Sequence, residues 1–146
     1  MLKHVAQINI SRMRAQLEDE VMHGFAGRLD EINALADSSP GFVWRLQTDD
    51  GDATALRVFD DPLTLINLSV WSDIQSLRDF VFRSKHRELL LGREQWFLPM
   101  DGPRLALWWV EPNHHPDVDE AKTRLDQLAN EGSSREVFTF ATVPRD

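Results

Sequence analysis

The chain has 146 residues, 42% of them apolar and 27% charged, which is the size and balance of one globular domain and excludes a mostly disordered polymer. Acidic residues outnumber basic ones 24 to 16, and the formal net charge of −8 disfavours a nucleic-acid partner. No cysteine is present and no apolar run approaches the roughly 18 residues of a membrane span, so disulfides, thiolate metal sites, a cysteine nucleophile and a spanning helix are excluded together.

The N-terminal stretch interrupts its apolar residues with Gln7 and Asn9 and has no small-residue cleavage site, so it does not read as a signal peptide, and a cytoplasmic domain is the expectation. Residues 4–11 set Ala6, Ile8 and Ile10 against Val5, Gln7 and Asn9 with period two, the pattern of a strand. A helix over residues 20–36 follows from the stripe Val21, Met22, Phe25, Leu29, Ile32 and Leu35. Asp19 is its N-cap, and the run from Asp37 to Gly41 is its stop. Residues 42–48 read as a second strand, Asp49-Asp50-Gly51-Asp52 as a turn, and residues 55–59 as a short extra strand. Residues 63–71 form a clear strand.

Ser72 and Gln75 make a capping-box pattern that starts the next helix, whose apolar face carries Ile74, Leu77 and Phe80 or Val81. A further helical stretch over residues 85–98 is weakened by Gly92 and ended by Pro99, Gly102 and Pro103. Residues 104–111 are a strand. The resulting order, strand, helix, strand, strand, helix, strand, is a ferredoxin-like split βαβ unit: α+β, with an antiparallel sheet and helices on one face. Residues 1–146 are one domain, with a core at 3–111 and a C-terminal extension at 112–146. That extension holds a helix from the Asp117–Glu120 pair to about Glu131, then a strand over residues 137–142 that pairs with a second subunit. One sheet face is left bare in this arrangement, and a sheet-to-sheet homodimer is the simplest cover.

Several runs resemble the dimeric α+β barrel proteins, among them the antibiotic-biosynthesis-type and haem-degrading monooxygenases. They are the Pro40-Gly41-Phe42 turn, the strand end Asn67-Leu68-Ser69-Val70-Trp71 followed by Ser72-Asp73, and Asn9 on the first strand. From residue 3 to 142 the chain is more similar still to an uncharacterised bacterial branch of that superfamily, a domain of unknown function. The likeness to the monooxygenases covers the core to about Glu111. It implies a dimeric barrel and natural-product tailoring without flavin or metal, in which Asn and Trp residues surround an aromatic substrate that reacts with dioxygen. The chain departs from the pattern where the monooxygenases carry a His early in the helix after the Trp: here that region reads Leu77 to Val81, and His86 comes later. The extra loop over residues 49–62 and the tail after Glu111 also depart from it.

Asn67, Ser69 and Trp71 emerge from one face of their strand, so an amide, a hydroxyl and an indole N–H point together and are suited to orient a substrate oxygen. Structural satisfaction of Asn67 by backbone, with Trp71 in the core, is the bland reading beside it. Gln7 and Asn9 share a face and either line the same pocket or face water or a dimer seam. The unperturbed pKa of a histidine lies near neutrality, which makes His86 the candidate general base or axial haem ligand, against a solvated position among Arg83, Lys85, Arg87 and Glu88. His4 and His23 read as lone histidines. Asn113-His114-His115-Pro116-Asp117 invites a metal, but adjacent side chains in an extended loop point apart and no spaced partner supports them. Trp44, Trp96 and Trp108 are candidate cavity walls, with core packing as the alternative; Trp108 and Trp109 face opposite ways. Arg45 and Arg104 are candidate carboxylate or enolate ligands, or inter-subunit ion pairs. No phosphate loop, nucleophile elbow or dinucleotide fingerprint is present.

The catalytic candidates are therefore Asn67, Trp71, Asn9 and His86; the substrate-binding candidates are Gln7, Trp44, Arg45, Ser69, Trp96 and Trp108. No cofactor or metal is expected, with haem on His86 the exception to test. Three functions stay open: a cofactor-independent monooxygenase or related cyclase/isomerase acting on a hydrophobic aromatic or polyketide-like compound, a haem protein, and a non-enzymatic ligand-binding dimer.

Overall fold

The alternation along the first strand decides the architecture. In the structure, a computed structural model that describes residues 3–46, 63–84, 86–100 and 102–144, β1 (His4–Met13) buries both of its faces. Val5 on one side and Ala6 and Ile8 on the other are completely covered, as in a central strand sandwiched between two layers. The expected turn at residues 49–52 and the strand at 55–59 lie outside the described residues.

β1 is flanked antiparallel by β3 (Thr64–Trp71) on one side and β5 (Leu105–Val110) on the other. β2 (Phe42–Arg45) adds to β3, and the two-residue β4 (Phe97–Leu98) pairs with the far end of β1 at Arg12 and Met13. The strand order is that of the split βαβ unit. The register sets Asn9 opposite Asn67, Gln7 opposite Ser69, and Val5 opposite Trp71. Period-two geometry then gathers all six side chains on one face.

That face is roofed by α1 (His23–Asp37), α2 (Ile74–Arg83) and α3 (His86–Leu91). Asp19 accepts from Val21 N and opens a 3-10 turn, Glu20–Met22, so α1 proper starts three residues later than the stripe alone suggests. For α2 the cap is Asp73, whose carboxylate accepts from Ser76 N at 2.7 Å; the expected Ser72 cap is replaced by its neighbour. Four hydrogen bonds to the Asp73 carboxylate explain why its pKa lies below the usual value: the backbone N–H of Ser76 first, then the Ser72 and Ser76 hydroxyls and the backbone N–H of Gln75, with partial desolvation opposing them.

The helix expected over residues 85–98 is shorter. α3 stops at Leu91, Gly92 leads into a 3-10 turn, Arg93–Gln95, and the chain then becomes β4. Glycine's poor helix propensity and the free edge of β1 beside it explain the switch.

The opposite face was expected to be bare and to need a second subunit. It is covered by α4 (Val118–Glu131) of the same chain. Ala121, Leu125 and Leu128 pack on Ile8, Leu68, Val70 and Trp108, all buried. Asp117 caps α4 through Glu120 N as the sequence indicated. The expected terminal strand also stays within the chain: Phe138 makes a single bridge to Leu107, with N–O distances of 2.8 and 2.9 Å, and residues 137–142 form no strand. No described helix is long and apolar enough to cross a membrane.

Candidate functional site

Between the sheet and the roof of α1, α2 and α3 lies a cavity of about 480 Å³, within the usual range for small-molecule sites. Its floor is the polar set that the register of β1 and β3 brings together. Gln7 Nε2 donates to Asn67 Oδ1 at 2.7 Å and to Ser69 Oγ at 2.9 Å; Trp71 Nε1 donates to Ser69 Oγ at 3.0 Å. Gln7 and Ser69 are each only 6% exposed, so these bonds satisfy groups largely shielded from water.

The direction of these bonds matters chemically. Both Gln7 amide hydrogens are used, which holds Asn67 by its carbonyl oxygen and leaves the Asn67 Nδ2 hydrogens as donors with no partner among the described residues. Asn9, across the strand pair from Asn67, likewise has no side-chain hydrogen bond among the described residues and lines the cavity. Ser69 accepts twice and keeps its own hydroxyl hydrogen. Trp71 differs from the expectation: its N–H is spent on Ser69 and its ring is 1% exposed, so it holds the floor in place and does not offer a free donor.

One wall is an aromatic series. Phe42 meets Trp71 edge-on at 5.5 Å between centroids, Trp71 stacks with Phe80 at 5.1 Å, and Phe80 contacts the His86 ring at 5.1 Å. His86 is thus part of the cavity wall, half-buried, and not a solvated helix residue. Its Nδ1 lies 3.1 Å from the Val81 carbonyl oxygen. A carbonyl only accepts, so Nδ1 carries the hydrogen and Nε2 carries the lone pair. Burial lowers the His86 pKa below the ordinary 6.5, and the Val81 bond partly offsets that effect.

Seven of the ten expected residues line this cavity: Asn67, Trp71, Asn9, His86, Gln7, Ser69 and Arg45. Arg45 also reaches out of it, with Nε 2.7 Å from Asp37 Oδ1. The three tryptophans Trp44, Trp96 and Trp108 do not line it. A register shift between Phe42 and Trp44 turns Trp44 to the α4 face, where it stacks on His115 at 4.8 Å. Trp96 fills the junction of α1 with the 3-10 turn, its ring against Gly24 and Phe25. Trp108 faces α4 and donates to Glu120 Oε2 at 2.9 Å.

Asn33, Phe80 and Arg93 line the cavity without having been singled out as site residues. Phe80 was legible only as helix stripe, and nothing local marks Arg93. The His114–His115 pair points apart, His114 to Glu120 at 2.7 Å and His115 to Trp44; among the described residues no group of three or more His, Asp or Glu side chains could hold a metal.

Fold and site together define an α+β protein with a ferredoxin-like antiparallel sheet and a cavity between that sheet and its helices. The chain belongs to the family described as Domain of unknown function (DUF3291), which matches residues 4–146. It is similar in structure to a protein of unknown function from Nitrosomonas europaea, with a TM-score of 0.52 and 12% identity over 80% of this chain and 97% of that one. It is also similar to SnoaB, a cofactor-independent oxygenase from Streptomyces nogalater, with a TM-score of 0.52 and 16% identity over 79% of this chain and 99% of that one. Among curated proteins none matches it significantly. At such identities the likeness is one of fold.

Proposed function

We propose that this protein is a small-molecule tailoring enzyme of the cofactor-independent oxygenase type, acting on a hydrophobic aromatic or polyketide-like compound. The observation that carries the reading is the unspent amide of Asn67, fixed by Gln7 beside the free amide of Asn9, on the floor of a cavity whose wall is aromatic and ends in a neutral histidine. The half-buried Phe42 and Phe80, with Trp71 packed behind them, suit a flat ring system. His86 Nε2 takes a proton from an acidic C–H beside a carbonyl, and the enolate oxygen is held by the Asn67 and Asn9 N–H donors. The electron-rich carbon then reduces dioxygen. One oxygen atom ends as a new carbonyl on that carbon and the other leaves as water with the two hydrogens of the original CH₂, so CH₂ and O₂ become C=O and H₂O with no external reductant.

Dithranol, a dihydroxyanthrone with such a CH₂, is a direct probe. Dioxygen uptake and quinone absorbance above the uncatalysed rate are expected, with Asn67→Ala lowering kcat by roughly 10²–10³-fold while circular dichroism stays unchanged. Equal turnover by Asn67→Ala would remove the proposed role. Conversion of a substrate without dioxygen uptake would make the enzyme a cyclase or isomerase in the same pocket. A haemin Soret shift abolished by His86→Ala would make it a haem protein, and dithranol binding without turnover a ligand-binding module.

Homodimerisation and a cytoplasmic location belong to the same reading. Because α4 packs on the other face of the sheet, the contact of this proposal is drawn from α2 and α3, where Phe82 and Leu91 are exposed. Sedimentation at the monomer mass of 16.8 kDa would remove the dimer.

A further inference from the structure

The charge lining the cavity runs against the charge of the protein. The chain carries a net charge of −8, yet among the described residues the cavity is lined by Arg45, Arg93, Arg104 and His86 and by no aspartate or glutamate. Arg45 is committed to Asp37. Arg93 donates one bond, Nη1 to the Leu90 carbonyl at 2.8 Å, which leaves most of its guanidinium donors unused. Arg104 is exposed, and among the described residues its side chain has no hydrogen bond or ion pair. It enters at the start of β5, where its carbonyl accepts from Ile10 N at 2.8 Å, one residue from Asn9. An anionic protein that sets Arg93 and Arg104 at an apolar cavity with no acidic partner among the described residues makes that place attractive to an anion.

We propose that the ligand of this cavity is an amphipathic aromatic acid. Its ring system lies along Phe42 and Phe80, which Trp71 backs, its ring oxygen meets Asn67 and Asn9, and a carboxylate is held at the mouth by Arg104 with Arg93. The inference rests on the proposed ligand-binding role of the cavity and adds the charge of what it takes. A neutral polycycle would use the wall and the floor but leave both arginines idle. A carboxylate satisfies them with paired N–H donors and fixes which end of the molecule enters first.

The test compares anthraquinone carboxylate with the matching anthraquinone carboxamide, which has nearly the same shape and no charge, by isothermal titration calorimetry on the full chain. The acid is expected to bind about tenfold or more tightly than the amide, a difference of about 1.4 kcal/mol, and the preference is expected to shrink as salt is raised. Arg104→Gln, a change at an exposed side chain, is expected to remove most of the preference by weakening the acid far more than the amide. Combining it with Arg93→Gln is expected to remove the rest. Equal binding of acid and amide by the unaltered protein overturns the inference and leaves the ligand-binding role standing. Retention of the full preference by the double variant also overturns it. Failure of both compounds to bind overturns the inference together with the reading beneath it.

Discussion

Ser69 joins the two halves of the cavity floor, because a single hydroxyl oxygen accepts from Gln7 on β1 and from Trp71 on its own strand. Removing it leaves a buried indole N–H with no partner. Ser69→Ala is therefore expected to cost about 1–3 kcal/mol in urea unfolding, the penalty of an unmet buried donor. Ser69→Thr, which keeps the oxygen, is expected to cost less. His86 gives a second prediction at this scale. Its pKa is lowered in the folded protein, chiefly by desolvation, so below the ordinary value of 6.5 the unfolded chain binds a proton that the folded chain resists. Its contribution is fully present above 6.5 and is lost as pH falls toward the depressed value. The stability of the protein is expected to fall more steeply with acid over that window than that of His86→Gln; parallel curves would show that His86 is not held neutral. Gln7, Asn9, Asn67 and Ser69 were legible beforehand because polar residues interrupt an apolar alternation at positions that share a face. Trp44 was not, because one extra residue in β2 reverses the parity on which the reading depends.

At the scale of elements, the Pro40–Gly41 turn shows why a short run can be diagnostic. Gly41 has φ of 81°, and a Cβ there would come within 2.3 Å of Ser76 Oγ. Its carbonyl accepts from Ser72 N at 2.7 Å, so the turn between α1 and β2 is docked on the start of α2. Gly41→Ala meets both a left-handed backbone and a steric clash, and is expected to cost about 2–4 kcal/mol by thermal or denaturant unfolding. A cost below about half a kcal/mol, the range of a neutral surface change, would mean that the turn is not docked in this way. Period and cap signals located β1, α1, β3, β5 and α4 within a few residues, since each stripe is long enough to average over local exceptions. The short pieces resisted. α3, the 3-10 turn and β4 are set by a glycine and by the free end of β1, a tertiary circumstance that no window of neighbouring residues contains. Phe138 is likewise held by one bridge to Leu107, too little for a periodic signal.

The whole molecule divides its sheet between two tasks. The face with Val5, Gln7, Asn9, Ser69 and Trp71 carries the cavity; the face with Ala6, Ile8, Leu68, Val70 and Trp108 is closed by α4. The sequence shows that the second face is apolar and that a helix follows β5, but the question of which chain's surface covers the face is one of relative placement, and composition is silent on it. Closure from within has a measurable consequence. Leu125 is buried on the α4 side and does not line the cavity, so Leu125→Ala is expected to lower stability by about 2–5 kcal/mol. The affinity of the folded variant for an anthraquinone ligand is expected to stay at the level of the unaltered protein. Loss of stability with affinity intact would establish α4 as scaffold for a site built wholly on the other face. A matching loss of affinity, measured well below the variant's unfolding midpoint, would show instead that Ile8 and Leu68 transmit packing on one side of β1 and β3 to Gln7, Asn9 and Asn67 on the other.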